Sequence, residues 1–288
     1  MARPIVLTLG CEDQPGITAR VTGFLFDRGC NILEAQQFND RGNADAGDRF
    51  FMRVAFDPAG HSSEQLRSEF SELAASYAMS WKIAAQNRPR RVLIMVSKAD
   101  HCLVDLLYRS RIGELAIDPV AIVSNHPRDV AIRTDIGDIP FHHLPVTPQT
   151  KAEQEARMRE IADETDAELI VLARYMQIFS DAQSGHFAGR CINIHHSFLP
   201  GFKGARPYHQ AHARGVKIIG ATAHFVTPDL DEGPIIHQDV ERISHADATS
   251  DLVRKGRDIE RRVLAEAVRL FVEERVLLNG NRTVVFKG

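Results

Sequence analysis

From about residue 90 onward, short apolar runs alternate with amphipathic stretches, and few folds accommodate that order. Val92 to Val96, Val120 to Val123, Phe141 to Leu144 and Leu169 to Ala173 have the length and apolar density of strands. Between them Cys102 to Leu107, Pro127 to Arg133 and a stretch from Thr150 through Ala162 read as helical, the last opened by Thr150 and Glu153 at capping-box spacing. Such alternation builds βαβ units, whose crossovers impose a mostly parallel sheet. Arg174 to Gly189 reads as a connecting helix and loop. Near the end Leu252, Val253, Ile259, Val263, Leu264, Ala267, Leu270 and Phe271 step at helical spacing.

The first 85 residues follow another order. Ile5 to Leu9 reads as a strand, and Pro15 and Gly16 end it and start a helix carrying Ile17, Val21, Phe24 and Leu25, which Gly29 terminates. Cys30 to Phe38 and Arg49 to Phe56 are strands joined by a polar hairpin loop. Ser62 with Gln65 forms a capping box before the stripe Leu66, Phe70, Leu73, Ala74 and Tyr77, and Met79 to Ala84 is a last strand. The sum is β-α-β-β-α-β, the split βαβ arrangement. The chain is therefore α/β: residues 1–85 form a small domain, the basic Pro-containing stretch 86–91 is a solvated linker, and 92–288 form a larger domain.

Composition narrows the function classes. The four cysteines are scattered without a CxxC pair, which suits reduced thiols in a cytoplasm and neither a disulfide frame nor a zinc site. A formal net charge of -3 argues against an electrostatic grip on nucleic acid. The start lacks the long apolar region of a signal peptide, and no run suits a membrane span.

The chemistry concentrates between Arg190 and Gln238. In the run Cys191 to His196, alternation puts Asn193 and His195 on one face, and Ile192, Ile194 and His196 on the other. A carboxamide supplies a neutral donor to a developing oxyanion, and an imidazole moves protons near neutral pH. A second run, Ile218 to Val226, ends in the turn T-P-D-L-D-E-G-P, whose acids can return to the same place. Asn, His and Asp suit acyl transfer. His196 reads as a packed or hydrogen-bonded histidine, and Cys191 as an inert buried thiol. His209 and His212 stand i, i+3 on a helix starting near Pro207, but no supporting ligand motif accompanies them, and no metal is expected.

N-I-H-H-S-F-L-P followed by F-V-T-P-D-L-D-E-G-P-I-I-H-Q resembles the folate-dependent formyltransferase family. The continuation G-F-K-G-A-R-P-Y-H-Q-A and the two-domain layout resemble its hydrolytic branch, the formyltetrahydrofolate deformylases. D-Q-P-G-I-T-A-R-V with G-C-N-I resembles an ACT domain, a module that pairs through its sheet and binds amino acids. The resemblance implies a ferredoxin-like ACT domain before a Rossmann-like formyltransferase domain. It implies Asn193 polarising a formyl carbonyl, and His195 with Asp231 activating water, so that 10-formyltetrahydrofolate gives tetrahydrofolate and formate. Folate is then the substrate, with no separate cofactor. Tyr175 and Met176, in R-Y-M-Q-I-F, and Phe225, Thr227 and His224 would bind it. Asp13, Gln14, Pro15, Gly16 and Ile17 would either hold an effector or form an ordinary strand-to-helix turn in a module that only drives oligomerisation, and the chain would be a cytoplasmic homo-oligomer.

The alternative is a formyltransferase that passes the group to an amine. Against a phosphorylated ribose acceptor, the first βα turn reads S-K-A-D-H-C-L, with Lys98, Asp100 and His101 where phosphate-binding members carry a glycine/serine loop. Against a charged tRNA stand the net charge and the lack of a further domain after Gly288. A non-catalytic sensor would carry a dead site, which the intact triad disfavours.

Overall fold

In a computed structural model that describes residues 4–41, 47–201 and 207–288, the chain divides into two units. One comprises Met1–Arg88, Glu273–Asn279 and Thr283–Gly288; the other comprises Pro89–Val272 and Gly280–Arg282.

The first unit follows the expected order: β1 (Ile5–Glu12), α1 (Ile17–Phe26), β2 (Asn31–Asp40), β3 (Arg49–Asp57), α2 (Ser63–Ser76) and β4 (Ser80–Ala85). The antiparallel sheet runs β2-β3-β1-β4. Ser62 caps α2 as its spacing predicts, its hydroxyl accepting from the Gln65 amide at 3.1 Å. One sheet face packs on both helices through Leu7, Leu9, Val54, Phe56 and Leu66, and Phe70 meets Phe24 and Trp81 edge-on at 5.1 and 5.0 Å.

The sequence boundary differs from the observed one at the C-terminus, where most of the segment after Val272 belongs to this first unit. It contains the short two-stranded sheet of β12 (Val276–Asn279) and β13 (Arg282–Val285). On β3, Arg53 points away from the core strand positions Met52 and Val54, and it is only 4% exposed. Its guanidinium donates to the carbonyls of Glu273 at 3.0 Å and Glu274 at 3.1 Å, and pairs with Glu34 at 2.8 Å. Arg275 adds a second bond to Glu34 at 3.1 Å. No apolar periodicity announces this docking, because a buried arginine and main-chain carbonyls carry it.

The second unit holds β5 (Arg90–Val96), α3 (His101–Arg111), β6 (Ile117–Ser124), α4 (Arg128–Ala131), β7 (Phe141–His143), α5 (Lys151–Glu164) and β8 (Leu169–Leu172). These are followed by α6 (Asp181–His186), β9 (Cys191–His195), α7 (Pro207–Arg214), β10 (Ile218–Phe225), β11 (Ile235–Arg242) and α8 (Thr249–Val272). The sheet order is β11-β10-β9-β8-β5-β6-β7. Strands β7, β6, β5, β8 and β9 are parallel; β10 runs antiparallel to β9, and β11 to β10. This is the Rossmann-like, mostly parallel arrangement expected, with the antiparallel edge that its final strands add.

Three local expectations differ. Arg90 and Arg91 lie in β5, not in a solvated linker; Arg90 pairs with Glu168 at 2.9 Å, and Arg91 donates to the Thr165 carbonyl at 2.7 Å. Thr150 makes no side-chain cap on α5; its hydroxyl instead accepts from the Thr147 amide at 3.0 Å. The strand β11 went unrecognised because its buried face is short, and most of its residues are partly exposed.

Helix α8 places Gly256 against the ring of Tyr208, where a Cβ would lie 2.1 Å from the ring. Tyr208 is buried and cannot yield. Gly256→Ala is therefore expected to destabilise by about 1–3 kcal/mol through overpacking, outweighing the ~1 kcal/mol gain in helix propensity. A lowered melting temperature of the purified variant checks this.

Candidate active site

In open α/β sheets, ligands lie beyond the carboxyl ends of the strands. At that end of β8 and β9 a cavity of about 260 Å³ opens, bounded by the Arg174–Phe179 segment, the end of β9 and the 226–231 turn. Strand register assembles its polar wall. Asn193 stands opposite Leu172 on one side and His224 on the other, so the side chains of Asn193 and His224 share a face. The amide Nδ2 of Asn193 lies 3.2 Å from His224 Nε2. His224 Nδ1 lies 2.8 Å from the Phe225 carbonyl and donates to it. The neutral ring then accepts from Asn193 at Nε2, which fixes the carboxamide orientation and leaves one N–H of Asn193 for a ligand.

His195 lies two residues along, on the same face. Its Nδ1 is 3.3 Å from Asp231 Oδ2, while Asp231 Oδ1 is 3.7 Å from His224 Nε2. Asp231 adopts φ 57, a left-handed conformation uncommon for a non-glycine residue, which turns its carboxylate back toward β9 and β10. The turn closes tightly behind it: a Cβ on Gly233 would lie 1.8 Å from the Phe225 carbonyl oxygen, so only glycine fits. Burial pushes the Asp231 carboxyl up, but the hydrogen bond from His195 outweighs it and holds the group well below the usual carboxylate range. With Nδ1–H committed to Asp231, the lone pair of His195 is at Nε2, which is buried without a hydrogen-bond partner among the described residues. The expected trio is thus brought together around one cavity.

Other expectations divide. Tyr175, Met176, Thr227 and His224 line the cavity. Phe225 does not: alternation along β10 turns its ring away, against Phe271 at 6.2 Å, and its main-chain N–H and carbonyl are taken by Pro234 and His224. Asp229 is exposed on the turn. Cys191 is buried, which pushes its thiol up and keeps it protonated. His209 and His212 are exposed on α7. The motif residues 202–206 lie outside the described residues. In the first unit Gly16 has φ 92, Ile17 is buried in the core, and the Asp13 carboxylate accepts from Asn39 at 2.7 Å.

Sequence reasoning missed a second polar layer. Glu260 of α8 is 1% exposed; its carboxylate accepts from His101 at 2.8 Å and Tyr208 at 2.6 Å, and Arg174 Nε stands 3.2 Å away. Burial raises its carboxyl, but His101, Arg174 and Tyr208 prevail and keep it below the ordinary glutamate value. Arg174, itself at φ 65, donates from Nη1 to His196 Nδ1. The His196 ring lies parallel to His195, with centroids 5.2 Å apart and 13° between planes. His196 thus joins the cavity wall, because β9 ends at His195 and strict alternation ends with it.

Among the described residues, one group of side chains has the spacing to hold a metal: His101, Cys102 and Glu260. Both Glu260 oxygens already face donors there, and a guanidinium beside them opposes a cation. The same layer bears on acceptors. Where a phosphate cradle would open, His101 begins α3 bonded to a buried carboxylate, and Asp100 accepts from the Arg133 amide at 2.9 Å.

Comparison with known proteins is consistent along the chain. The Formyl transferase family model matches residues 90–268, and the ACT domain model matches 5–60. A formyltetrahydrofolate deformylase of Corynebacterium sp. (strain P-1) is 50% identical over 284 residues, covering 98% of each chain. That of Escherichia coli (strain K12) is 39% identical over 287 residues, covering 99% of each. The crystal structure of formyltetrahydrofolate deformylase from Burkholderia mallei ATCC 23344 matches with a TM-score of 0.91 at 50% identity, over 99% of this chain and 100% of that one. Glycinamide ribonucleotide transformylase 1 from Symbiobacterium toebii matches at a TM-score of 0.63 and 28% identity, over 72% of this chain and 98% of that one.

Proposed function

The chain belongs to the formyltetrahydrofolate deformylases, with an ACT domain and a formyl transferase domain, and from that membership we propose that it hydrolyses 10-formyltetrahydrofolate to tetrahydrofolate and formate. The observation that carries the reading is the unpartnered Nε2 of His195, held by Asp231 through Nδ1 beside the free N–H of Asn193.

Asn193 donates to the formyl oxygen as the carbon becomes tetrahedral. His195 Nε2 takes a proton from water, whose oxygen bonds to the formyl carbon. The imidazolium, stabilised by the Asp231 carboxylate, then gives that proton to N10. The C–N bond breaks, leaving tetrahydrofolate and formate, and the second proton of the water passes to solvent. Met176, Ile178 and Leu230, each more than half exposed, form an apolar rim suited to the flat rings of a folate. The substrate itself supplies the reacting group, and no separate cofactor enters.

Formate release from 10-formyltetrahydrofolate without any amine acceptor tests this. His195→Ala is expected to lower kcat by about 10²–10⁴. A wild-type protein that releases formate only when an amine is supplied would move the reading to a transferase.

For the first unit, we propose a small-molecule effector site at the 13–17 turn and association of copies along the edge strand β2, where Leu33 and Phe38 are exposed. No described helix is long and apolar enough to cross a membrane. The scattered free cysteines suit a cytoplasmic location.

A further inference from the structure

Two buried imidazole nitrogens at the active cavity have no hydrogen-bond partner among the described residues, and the mechanism above uses only one of them. His196 is 6% exposed, lines the same cavity as His195, and its Nε2 makes no hydrogen bond among the described residues. A buried polar atom without a partner costs free energy, so a native site that retains one aims it at a ligand or a water.

The identity of that atom follows from its neighbour. Arginine is always protonated and only donates. Because Arg174 Nη1 donates to His196 Nδ1, that nitrogen is the acceptor, and the single proton of the neutral ring sits on Nε2. Arg174 is in turn held by the buried Glu260 carboxylate, which Tyr208 and His101 also bind. The stacking of His196 on His195 has a matching consequence: a neutral ring beside His195 avoids two imidazolium charges face to face when His195 takes up its proton.

We infer that His196 is a further catalytic residue, whose Nε2–H is a permanently oriented donor to the oxygen that enters with water. This rests on the hydrolytic reading. The same donor serves that oxygen in the attacking water, in the hydroxyl of the tetrahedral adduct and in formate, and leaves the His195 lone pair to act as the base. The Glu260–Arg174 pair acts through His196 as a positioning device that fixes its tautomer. A hydrolase gains from such a donor because water, unlike an amine acceptor, brings no side chain or sugar by which to be held.

Two kinds of measurement test this. With 15N-histidine labelling, NMR of the wild-type protein at pH 7 is expected to show the His196 proton on Nε2; a proton on Nδ1 would overturn the inference. His196→Phe keeps the ring and its stacking but deletes the donor. It is expected to lower kcat for formate release by about 10- to 100-fold with KM for the folate unchanged, since the pterin side of the cavity is untouched. His196→Gln retains an N–H near the Nε2 position and is expected to recover much of the loss, which a purely structural role would not produce. Wild-type kcat in His196→Phe, or no recovery in His196→Gln, would sink the proposal. Should His196→Phe fail to fold by circular dichroism, the tautomer and the Gln variant decide the question. A wild-type protein that releases no formate would defeat the hydrolytic reading instead, a result distinct from every outcome above.

Discussion

Asp231→Asn is expected to lower kcat by about 10³–10⁴ while leaving the fold and melting temperature unchanged. The carboxylate has two tasks, and asparagine fails at both. It holds the His195 proton at Nδ1, 3.3 Å away, so that Nε2 presents a lone pair. A carboxamide that turns its NH₂ group toward Nδ1 selects the opposite tautomer and puts a proton where the base should be. It also stabilises the imidazolium formed during attack, and a neutral amide cannot. The backbone does not confuse the result, because asparagine tolerates the left-handed conformation that Asp231 occupies at φ 57. Steady-state formate release beside a thermal melt separates the chemical loss from any structural one. Because Asp231 is held well below the usual carboxylate range, it stays ionised throughout the neutral and mildly acidic region, and the acid limb of the wild-type rate profile does not originate in it.

Glu260→Ala is expected to destabilise the second unit by about 3–5 kcal/mol, the usual cost of removing one partner of a buried ion pair. The truncation leaves the Arg174 guanidinium, the Tyr208 hydroxyl and the His101 ring facing a void. A lower urea midpoint with an unchanged slope checks it. Glu260→Gln keeps the shape and some of the hydrogen bonds and should cost less. The pH dependence has a definite sign. The folded carboxyl lies below the ordinary glutamate value, so its contribution is fully present above that ordinary value and is lost as pH falls through the folded one. The stability gap between the wild type and Glu260→Gln should therefore be widest near neutrality and close in acid.

The parts of the site legible in the sequence are those that depend on local geometry. Asn193 and His195 share a strand face because the side-chain period is two, and Asp231 lies in a turn that Thr227, Pro228 and Gly233 announce. The layer behind them was invisible for the converse reason. Glu260 meets His101 across 159 residues and Tyr208 across 52, and each residue taken singly is an unremarkable member of its helix. His196 was placed on the wrong face because alternation was carried one residue past the end of β9. Phe225 was assigned to the substrate although the same alternation, applied to β10, turns it into the core beside Phe271. In the first unit the capping box at Ser62 and the order of strands followed from pattern alone. The docking of the C-terminal segment did not, since Arg53 bonds main-chain carbonyls that carry no sequence signal.

The register that sets His224 opposite Asn193 also limits how this protein can vary in length. Within β10, between 218 and 223, a single-residue deletion would present the Phe225 ring to Asn193 and an insertion would present Ala223, and either would turn the imidazole toward the core. A two-residue change would restore the face, although it would shift the strand's ends. Even steps keep the imidazole on the cavity face of β10, but only an unchanged length keeps His224 opposite Asn193. The 226–231 turn, by contrast, must keep its length entirely, because Asp231 has to meet His195 on one side while Gly233 passes beneath the Phe225 carbonyl on the other.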